Sequence, residues 1–276
     1  MQKISRLAFI GGGNMAAALI SGLTKRGLQP ERLVVADPSG EQLERLVRDY
    51  AVGTAADNVA AVQGAEVVVL AVKPQLMRAV ALQLAPHLAA SRPLVVSVAA
   101  GIPHASLARW FGAQIPVIRT MPNRPALNGF GATGLYAPAS VGAAYRALAE
   151  DLMGAVSATV WVEHESQMDT VTAVSGSGPA YFFLFMEALE AAAHERGLPR
   201  DVAHRLTLET AFGAAQMARQ SSDSLATLRE QVTSKGGTTA AALEVLNRAG
   251  LRAIVAHAVA AADRRSAELA AEFGGL

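Results

Sequence analysis

Near its N-terminus the chain reads Leu7-Ala8-Phe9-Ile10-Gly11-Gly12-Gly13-Asn14-Met15-Ala16. The four apolar residues predict a short buried strand, and the residues after them fit Gly-x-Gly-x-x-Ala, the fingerprint of a dinucleotide-binding turn. In such a turn Gly11 permits the tight bend, Gly13 lets the backbone approach a pyrophosphate, and a small Ala16 allows helix and strand to pack closely. We therefore expect a dinucleotide to lie against this turn.

The residues that follow fit the same unit. A helix with one apolar face is indicated by the spacing i, i+3, i+4, i+7 of Ala16, Leu19, Ile20 and Leu23. Residues 33–36 predict the next strand, which ends at Asp37, where such folds place a carboxylate that binds ribose. Because strand, glycine turn, helix, strand and acid occur in order, a purely structural glycine turn is the less favoured interpretation.

Later apolar runs predict the rest of the sheet. Residues 66–72, 94–98 and 117–118 are continuous runs rich in Val, Leu and Ile, which indicate strands buried on both faces of a parallel sheet. Residues 133–136 and 158–162 complete it, with a helix over 140–153. After residue 162 the pattern is helical throughout. The predicted fold is α/β, a Rossmann-type doubly wound, mostly parallel sheet in residues 1–162, followed by an all-helical domain in residues 163–276.

Composition favours a soluble enzyme. A net charge of +1, with 17% charged and 51% hydrophobic residues, gives no bias toward nucleic acid or membranes. The absence of Cys excludes disulfides and thiolate chemistry and fits a reducing compartment. No signal peptide precedes the first strand, and the longest apolar run is far shorter than the roughly 18 residues of a membrane span. We expect a cytoplasmic protein.

The helical domain carries more apolar surface than it can bury alone. Residues 179–193 are apolar nearly all round except for Glu187 and Glu190, and a helix of that kind must be enclosed on most sides. The last helix has an apolar stripe formed by Leu251, Ile254, Val255, Ala258, Val259 and Ala262. We predict a homodimer.

Residues 231–242 combine a glycine pair with hydroxyl side chains directly before a run of helix formers. Unpaired N–H groups at a helix N-terminus favour a carboxylate, and Thr hydroxyls can donate to or accept from a nitrogen. The simpler alternative is a Gly-Gly loop capped by Thr238.

Three loops follow strand ends, where ligands bind in open α/β sheets: residues 71–75, 97–102 and 119–123. Small residues in the second loop permit a flat ring to approach the backbone. Lys73 is as compatible with an exposed surface lysine as with a functional one.

None of the six histidines lies at a metal-ligand spacing. His164, between Glu163 and Glu165, is the one cluster worth testing, and we interpret it as a solvated helix start, not a metal site. Ser175-Gly176-Ser177-Gly178-Pro179 lacks the strand and the Gly-x-Ser-x-Gly pattern of a serine nucleophile, and Ser177 or Gly178 is more simply a helix N-cap.

Together these segments resemble the Δ1-pyrroline-5-carboxylate reductase family over essentially the whole chain. The resemblance is carried by residues 9–15, by Ala71-Val72-Lys73-Pro74, by Met121-Pro122-Asn123, by residues 174–181 and above all by residues 232–243. The last of these is quite specific, whereas the glycine fingerprint is shared with many dehydrogenases.

The resemblance implies hydride transfer from NAD(P)H to the C=N carbon of 1-pyrroline-5-carboxylate, giving L-proline. It implies a homodimer, which in the family can assemble into larger rings. From the histidine spacing described above we expect no metal. The implied substrate residues are Ser234, Gly237, Thr238 and Thr239, with Thr239 hydrogen-bonded to the ring nitrogen as the catalytic residue. The implied cofactor residues are Gly11, Gly13, Asn14, Met15, Asp37, Ser39, Asn58, Ala71, Val72, Lys73, Pro74, Ala99, Ala100 and Gly101.

The chain departs from the family pattern at three places. Many relatives have Pro at Lys235 and Thr at Arg124. The family commonly favours NADPH, but Asp37 should accept ribose hydroxyls and repel a 2′-phosphate, with Ser39 the one nearby phosphate-compatible donor. We expect both cofactors to be used.

Two other interpretations remain. A rival two-domain enzyme, such as a β-hydroxyacid dehydrogenase or an imine reductase for other rings, would be expected to have a lysine on the first long helix of the second domain, where this chain has Phe182, Phe183 and Phe185. A nicotinamide-binding sensor without turnover is the alternative from a different class.

Overall fold

The computed structural model describes residues 4–275, which form two compact units. One unit comprises the residues up to Ser177 together with those from Ala261 on, and the other comprises Gly178–Ala260. Residues 163–177 and the end of the last helix therefore pack with the sheet. The predicted division of roles at residue 162 stays a prediction.

In the first unit strands and helices alternate along the chain except at β6 and β7, which are joined by a 3₁₀ turn at Arg124–Asn128. In order these are β1 (Leu7–Ile10), α1 (Asn14–Lys25), β2 (Leu33–Ala36), α2 (Gly40–Tyr50), β3 (Gly53–Thr54), α3 (Asn58–Val62), β4 (Val67–Leu70), α4 (Pro74–Leu88), β5 (Leu94–Ser97), α5 (His104–Phe111), β6 (Val117–Met121), β7 (Gly131–Tyr136), α6 (Ala143–Met153), β8 (Ser157–Trp161) and α7 (Gln167–Val171). A single π-helical turn, Thr172–Gly176, follows α7.

Across the described residues, eight strands form one sheet in the order β3-β2-β1-β4-β5-β6-β7-β8. The β6–β7 pair is antiparallel and the other neighbouring pairs are parallel. Every residue of β1, β2, β4 and β5 is buried, because one hydrophobic cluster covers each face of the sheet. The predicted mostly parallel sheet, buried on both faces, is confirmed.

The elements differ from the sequence expectations mainly at their ends. β6 extends to Met121, three residues beyond the predicted strand, because it pairs with β5 on one side and β7 on the other. The helix expected from residue 140 begins at Ala143, after a turn in which the Val141 N–H donates to the Pro138 carbonyl. The two-residue strand β3 has no apolar run that could have predicted it.

The second unit is helical, as predicted, with α8 (Gly178–Glu195), α9 (Arg200–Gln220), α10 (Leu225–Gln231), α11 (Thr238–Arg248) and the first part of α12 (Leu251–Gly274). Phe182, Phe183 and Phe185 on α8 are 68%, 64% and 51% exposed in the single chain. No helix within residues 4–275 has both the length and the apolarity needed to cross a bilayer.

Candidate cofactor and substrate sites

The carboxyl ends of four neighbouring strands meet at one edge of the sheet. Ile10, the last residue of β1, is in register with Ala36 of β2 and Leu70 of β4. Leu70 is in turn in register with Ser97 of β5. The chain leaves these strand ends through the glycine turn, Asp37, residues 71–74 and residues 98–103. The structure therefore brings the loops of the predicted cofactor site to the same edge.

The glycine turn has the geometry that its motif requires. Gly11 has a φ of +97°, and a Cβ added there would lie 2.5 Å from the Ala71 carbonyl oxygen. Gly13 is the N-cap of α1, where a Cβ would meet no described atom within 4 Å. No side chain in residues 4–275 caps this helix. Its first N–H groups are therefore not capped by a side chain, and such a helix N-terminus suits a phosphate.

Asp37 is fixed at the end of β2 by backbone donors. Its carboxylate accepts the Gly12 N–H at 2.7 Å and the Ser39 N–H at 2.8 Å. The Ser39 hydroxyl oxygen accepts the Gln42 N–H at 3.3 Å and so caps α2. Each carboxylate oxygen keeps a further lone pair for a ribose hydroxyl.

The segments after β3 and β4 hold further predicted residues of this site. Asn58 begins α3, and its side-chain amide donates to Gln83 Oε1 at 3.2 Å. Lys73 is exposed and is the N-cap of α4, with Pro74 at the first helical position. The Ala71 N–H donates to the Ile10 carbonyl at 2.8 Å, which extends the β1–β4 ladder into the loop. Lys73 is thus free to reach a ligand, and its role stays a prediction.

The loop from Val98 to Pro103, called the β5 loop below, rests on a buried hydroxyl network. Thr120 Oγ1 donates to the Ser97 carbonyl at 2.9 Å, and Ser97 Oγ accepts the Ala99 N–H at 3.4 Å. Gly101 has a φ of +70°, and a Cβ there would lie 3.4 Å from Leu269 Cβ, so the end of α12 packs directly on the loop. The start of the loop is therefore held by β6 through Thr120, and its middle packs against α12 at Gly101.

Glu165 is not the solvated residue that the sequence suggested. Its Oε1 atom lies 3.0 Å from Arg119 Nη1 and also accepts the backbone N–H of His104 at the start of α5. The Arg119 side chain is 5% exposed and that of Glu165 is 27% exposed. The expectation of a solvated cluster at residues 163–165 is wrong for this residue, because β6 places a buried guanidinium beside it.

The imidazole ring of His104 lies near this ion pair. The ring lies edge-on to Tyr136, with 6.1 Å between ring centroids. Burial lowers the pKa of His104 below its ordinary value, although the nearby Glu165 carboxylate acts in the opposite direction. The imidazole is therefore held in a setting that favours its neutral form.

The metal and nucleophile alternatives receive no support from the described residues. No group of three or more His, Asp or Glu side chains in residues 4–275 could hold a metal ion. Ser175 lies in the π-helical turn, where its hydroxyl donates to the Val171 carbonyl at 2.9 Å. Asn123, which is buried, donates to the Ser175 carbonyl at 2.9 Å and accepts the Ala132 N–H at 2.8 Å. Ser175 and Asn123 therefore use their side chains to hold neighbouring backbone segments in place.

In the second unit, residues 234–237 form the turn before α11. Gly236 has a φ of +73°, which favours glycine, and a Cβ on Gly237 would lie 2.3 Å from Ser234 Oγ, so that the serine side chain would have to move. Gly237 is the N-cap, and no side chain of the described chain caps the helix. The alternative in which Thr238 is the cap is therefore wrong. Thr238 and Thr239 occupy the first two helical positions, with Thr239 half-buried and Ser234 exposed.

The comparisons with known proteins agree along the length of the chain. A pyrroline-5-carboxylate reductase of Pseudomonas aeruginosa is 51% identical over 269 residues, 98% of each chain. A solved structure of a pyrroline-5-carboxylate reductase from Coxiella burnetii superposes with a TM-score of 0.93 at 41% identity, covering 97% of this chain and 99% of that one.

The chain belongs to the pyrroline-5-carboxylate reductase family. The family model described as pyrroline-5-carboxylate reductase dimerisation matches residues 165–269, and one described as NADP oxidoreductase, coenzyme F420-dependent, matches residues 6–101. A Plasmodium falciparum pyrroline carboxylate reductase, solved with NADP bound, has a TM-score of 0.85 at 28% identity and covers 98% of this chain and 99% of that one. Membership in this family confirms the resemblance and the fold class. It also favours this family over the rival two-domain dehydrogenases considered from the sequence.

Proposed function

We propose that this chain reduces 1-pyrroline-5-carboxylate to L-proline with a reduced nicotinamide dinucleotide. The observation that carries the proposal is the uncapped N-terminus of α11 at Gly237–Thr239, in a family member whose other unit has a dinucleotide-type strand edge. In the reaction a hydride adds to the imine carbon and the nitrogen ends as an amine with one more proton than the neutral imine. The products are L-proline and the oxidised dinucleotide.

The cofactor residues fit the group that the family implies. The pyrophosphate would lie at the N-terminus of α1, where Gly13 leaves open space, and the ribose would lie at Asp37. Asn14, Met15, Ser39, Asn58 and the loops at residues 71–74 and 99–101 would complete the site. When bound, the nicotinamide supplies the hydride. The chain supplies position, and holding donor and acceptor in near-attack geometry can contribute several kcal/mol, up to about 7–11 in ideal cases.

The substrate residues would have two roles, which are to bind the carboxylate and to orient the ring nitrogen. The N–H groups at the start of α11, with Ser234 and Thr238, would hold the carboxylate, because a helix N-terminus favours an anion. Thr239 would hydrogen-bond the ring nitrogen and orient an imine that binds already protonated. Lys235 is exposed within this turn and would add positive charge near the carboxylate if its side chain turned toward the substrate, the alternative being that it points to solvent.

Turnover distinguishes an enzyme from a sensor. With 1-pyrroline-5-carboxylate and NADPH, absorbance at 340 nm should fall and proline should accumulate in equal amount. Binding of NADPH without loss of absorbance would instead support a nicotinamide-binding sensor and contradict the proposed reaction.

Replacing Thr239 tests the substrate site. Thr239→Ala should lower kcat roughly tenfold or more, because a positioned hydrogen bond to the ring nitrogen is lost. Thr239→Ser should restore part of the rate, since the hydroxyl returns. Thr210→Ala, at an exposed position on α9, is the control and should keep the wild-type kcat. An unchanged kcat/KM for Thr239→Ala would remove this residue from the mechanism.

The same proposal covers cofactor choice. We expect NADPH and NADH both to be used, because the Asp37 carboxylate favours a free ribose hydroxyl over a 2′-phosphate. Comparing kcat/KM for the two cofactors decides the matter, and a preference above about 100-fold for NADPH would contradict the role given to Asp37.

Assembly, metal independence and location complete the proposal. The dimer is expected to join others in a larger ring, which light scattering would detect as a mass of several dimers. Activity should survive EDTA, because binding and orientation in the proposed reaction use only side chains and backbone groups. We place the reaction in the cytoplasm, which fractionation of cells expressing a tagged chain would test.

A further inference from the structure

The Arg119–Glu165 ion pair lies directly beside the β5 loop. Glu165 Oε1 accepts the His104 N–H, and His104 is the residue that follows the loop. The same oxygen lies 3.0 Å from Arg119 Nη1. One carboxylate oxygen thus joins the exit of the loop to strand β6.

The pair is more than a surface contact. Arg119 is almost wholly buried, and Glu165 is its ion-pair partner within residues 4–275. A buried guanidinium without a counter-charge carries a large desolvation cost, so this charge keeps the carboxylate in place. A carboxylate held by a buried arginine is a stiffer acceptor than a free surface side chain.

The opposite end of the β5 loop is fixed by different atoms. At its entry, the Thr120 hydroxyl donates to the Ser97 carbonyl, and the Ala99 N–H donates to Ser97 Oγ. Thr120 directly follows Arg119 in β6. Two adjacent residues of one strand therefore hold the entry and the exit of the same loop, one through a hydroxyl and one through Glu165.

From this geometry we infer that Glu165 and Arg119 are positioning residues for the nicotinamide end of the cofactor. They hold the β5 loop, with Ala99, Ala100 and Gly101, in the shape that receives the ring. The inference rests on the proposed function, because that function assigns the loop to the cofactor. Neither side chain needs to touch the cofactor, so the loss of affinity expected on mutation is confined to the contacts of the nicotinamide ring that the loop receives.

Two ligands separate loop positioning from general damage. NADPH carries the nicotinamide, whereas 2′-phospho-ADP-ribose keeps the adenosine, the pyrophosphate and the second ribose and lacks the nicotinamide ring. In Glu165→Ala we expect the affinity for NADPH to fall about tenfold, the scale of one lost charged hydrogen bond. The affinity for 2′-phospho-ADP-ribose should stay within about twofold of wild type, because the turn at Gly13 and the Asp37 region lie elsewhere on the strand edge.

Matched variants make the test specific. Glu165→Gln keeps an oxygen for the His104 N–H and should lose less NADPH affinity than Glu165→Ala. Glu163→Gln, an exposed acid two residues away, should bind both ligands as wild type does. Leu152→Ala removes a buried side chain from α6 and controls for lost stability.

The results divide as follows. A selective loss of NADPH affinity in Glu165→Ala, absent from Leu152→Ala, supports the inference. An equal loss for both ligands, or no loss, overturns it and leaves the proposed function standing. Failure of the wild-type protein to bind NADPH overturns the cofactor assignment and this inference together.

Discussion

Two glycines of one turn show how differently the same residue type can be required. Gly11 needs a left-handed backbone and approaches the Ala71 carbonyl so closely that a Cβ has no room. Gly13 has an ordinary φ of −67° and open space around it. Glycine is required at position 11 by the fold itself. At position 13 the fold would accept a side chain, and glycine keeps the space open for a ligand.

Replacing each glycine by alanine should therefore separate stability from binding. Gly11→Ala should lower the free energy of unfolding by about 1–3 kcal/mol or more, because it combines backbone strain with a clash. Gly13→Ala should melt within a few degrees of wild type yet bind NADPH more weakly, since a methyl group would then meet the pyrophosphate. Thermal melting and NADPH titration measure the two effects. A Gly13→Ala variant with wild-type affinity would contradict the placement of the pyrophosphate.

His104 is expected to make the stability of the protein depend on pH. Because burial lowers its pKa when the chain is folded, the unfolded chain binds more protons below the ordinary value of 6.5. Stability should therefore decline as pH falls through 6.5 and approaches the lower folded value. The Glu165 carboxylate, which acts in the opposite direction, limits the size of this decline.

Melting temperatures at pH 8 and pH 5.5 would test this dependence. His104→Gln should lose less stability between the two values than wild type does. His87→Gln, which changes an exposed histidine, should follow wild type because its ring is open to solvent. Identical behaviour of wild type and His104→Gln would show that other groups control the response.

At the scale of elements, the end of α12 is held against α5 and the β5 loop. The Gly274 carbonyl accepts the Ser106 hydroxyl at 2.7 Å and Arg109 Nη2 at 3.2 Å, which satisfies a carbonyl that a helix end leaves unpaired. A Cβ on Gly274 would lie 2.6 Å from Pro103 Cδ. The helix end can therefore approach the loop only because residue 274 has no side chain.

Gly274→Ala should displace this helix end and lower the melting temperature by several degrees, the scale of about 1–3 kcal/mol for overpacking. Gly40→Ala is the control, because it stands at the first position of α2, where an added Cβ meets no described atom within 4 Å. Equal melting temperatures for the two variants would mean that the helix end does not need this close approach.

At the scale of the whole molecule, the exposed apolar side chains of α8 indicate a surface that a dimer would bury. Three phenylalanines there are more than half exposed in the single chain, and the family model that covers this helix describes dimerisation. Large exposed apolar patches of this kind mark protein–protein interfaces in soluble proteins. The monomer is therefore not expected to be the stable species.

Phe183→Asp should shift the protein from dimer toward monomer, because burying a carboxylate in an apolar interface is costly. Phe130→Asp, at an equally exposed aromatic residue of the first unit, should keep the wild-type mass. Sedimentation at micromolar concentration measures both. A monomeric wild-type protein, or a Phe183→Asp variant with wild-type mass, would contradict the dimer prediction.

Local sequence pattern was sufficient for the strands other than β3, for the glycine turn and for the helical character of the chain after residue 162. Runs such as Leu7–Ile10 and Leu33–Ala36 lie in the strands predicted for them, because continuous apolar side chains can be satisfied only by burial on both faces of a sheet. The helix start after Gly237 was also predictable, since a glycine pair before strong helix formers is a local signal. The roles of these residues in binding stay predictions.

Contacts between distant residues could not be read from such patterns. Glu165 and Arg119 are 46 positions apart, and in the sequence Glu165 is one of two acids beside a histidine, which is typical of a solvated surface. Its partner, the buried Arg119, lies on β6, and the folded chain brings β6 next to the segment after β8 that carries Glu165. The docking of Gly274 on Pro103 has the same origin. Short-range periodicity reports which face of an element is buried, whereas tertiary folding alone chooses the partner that covers it.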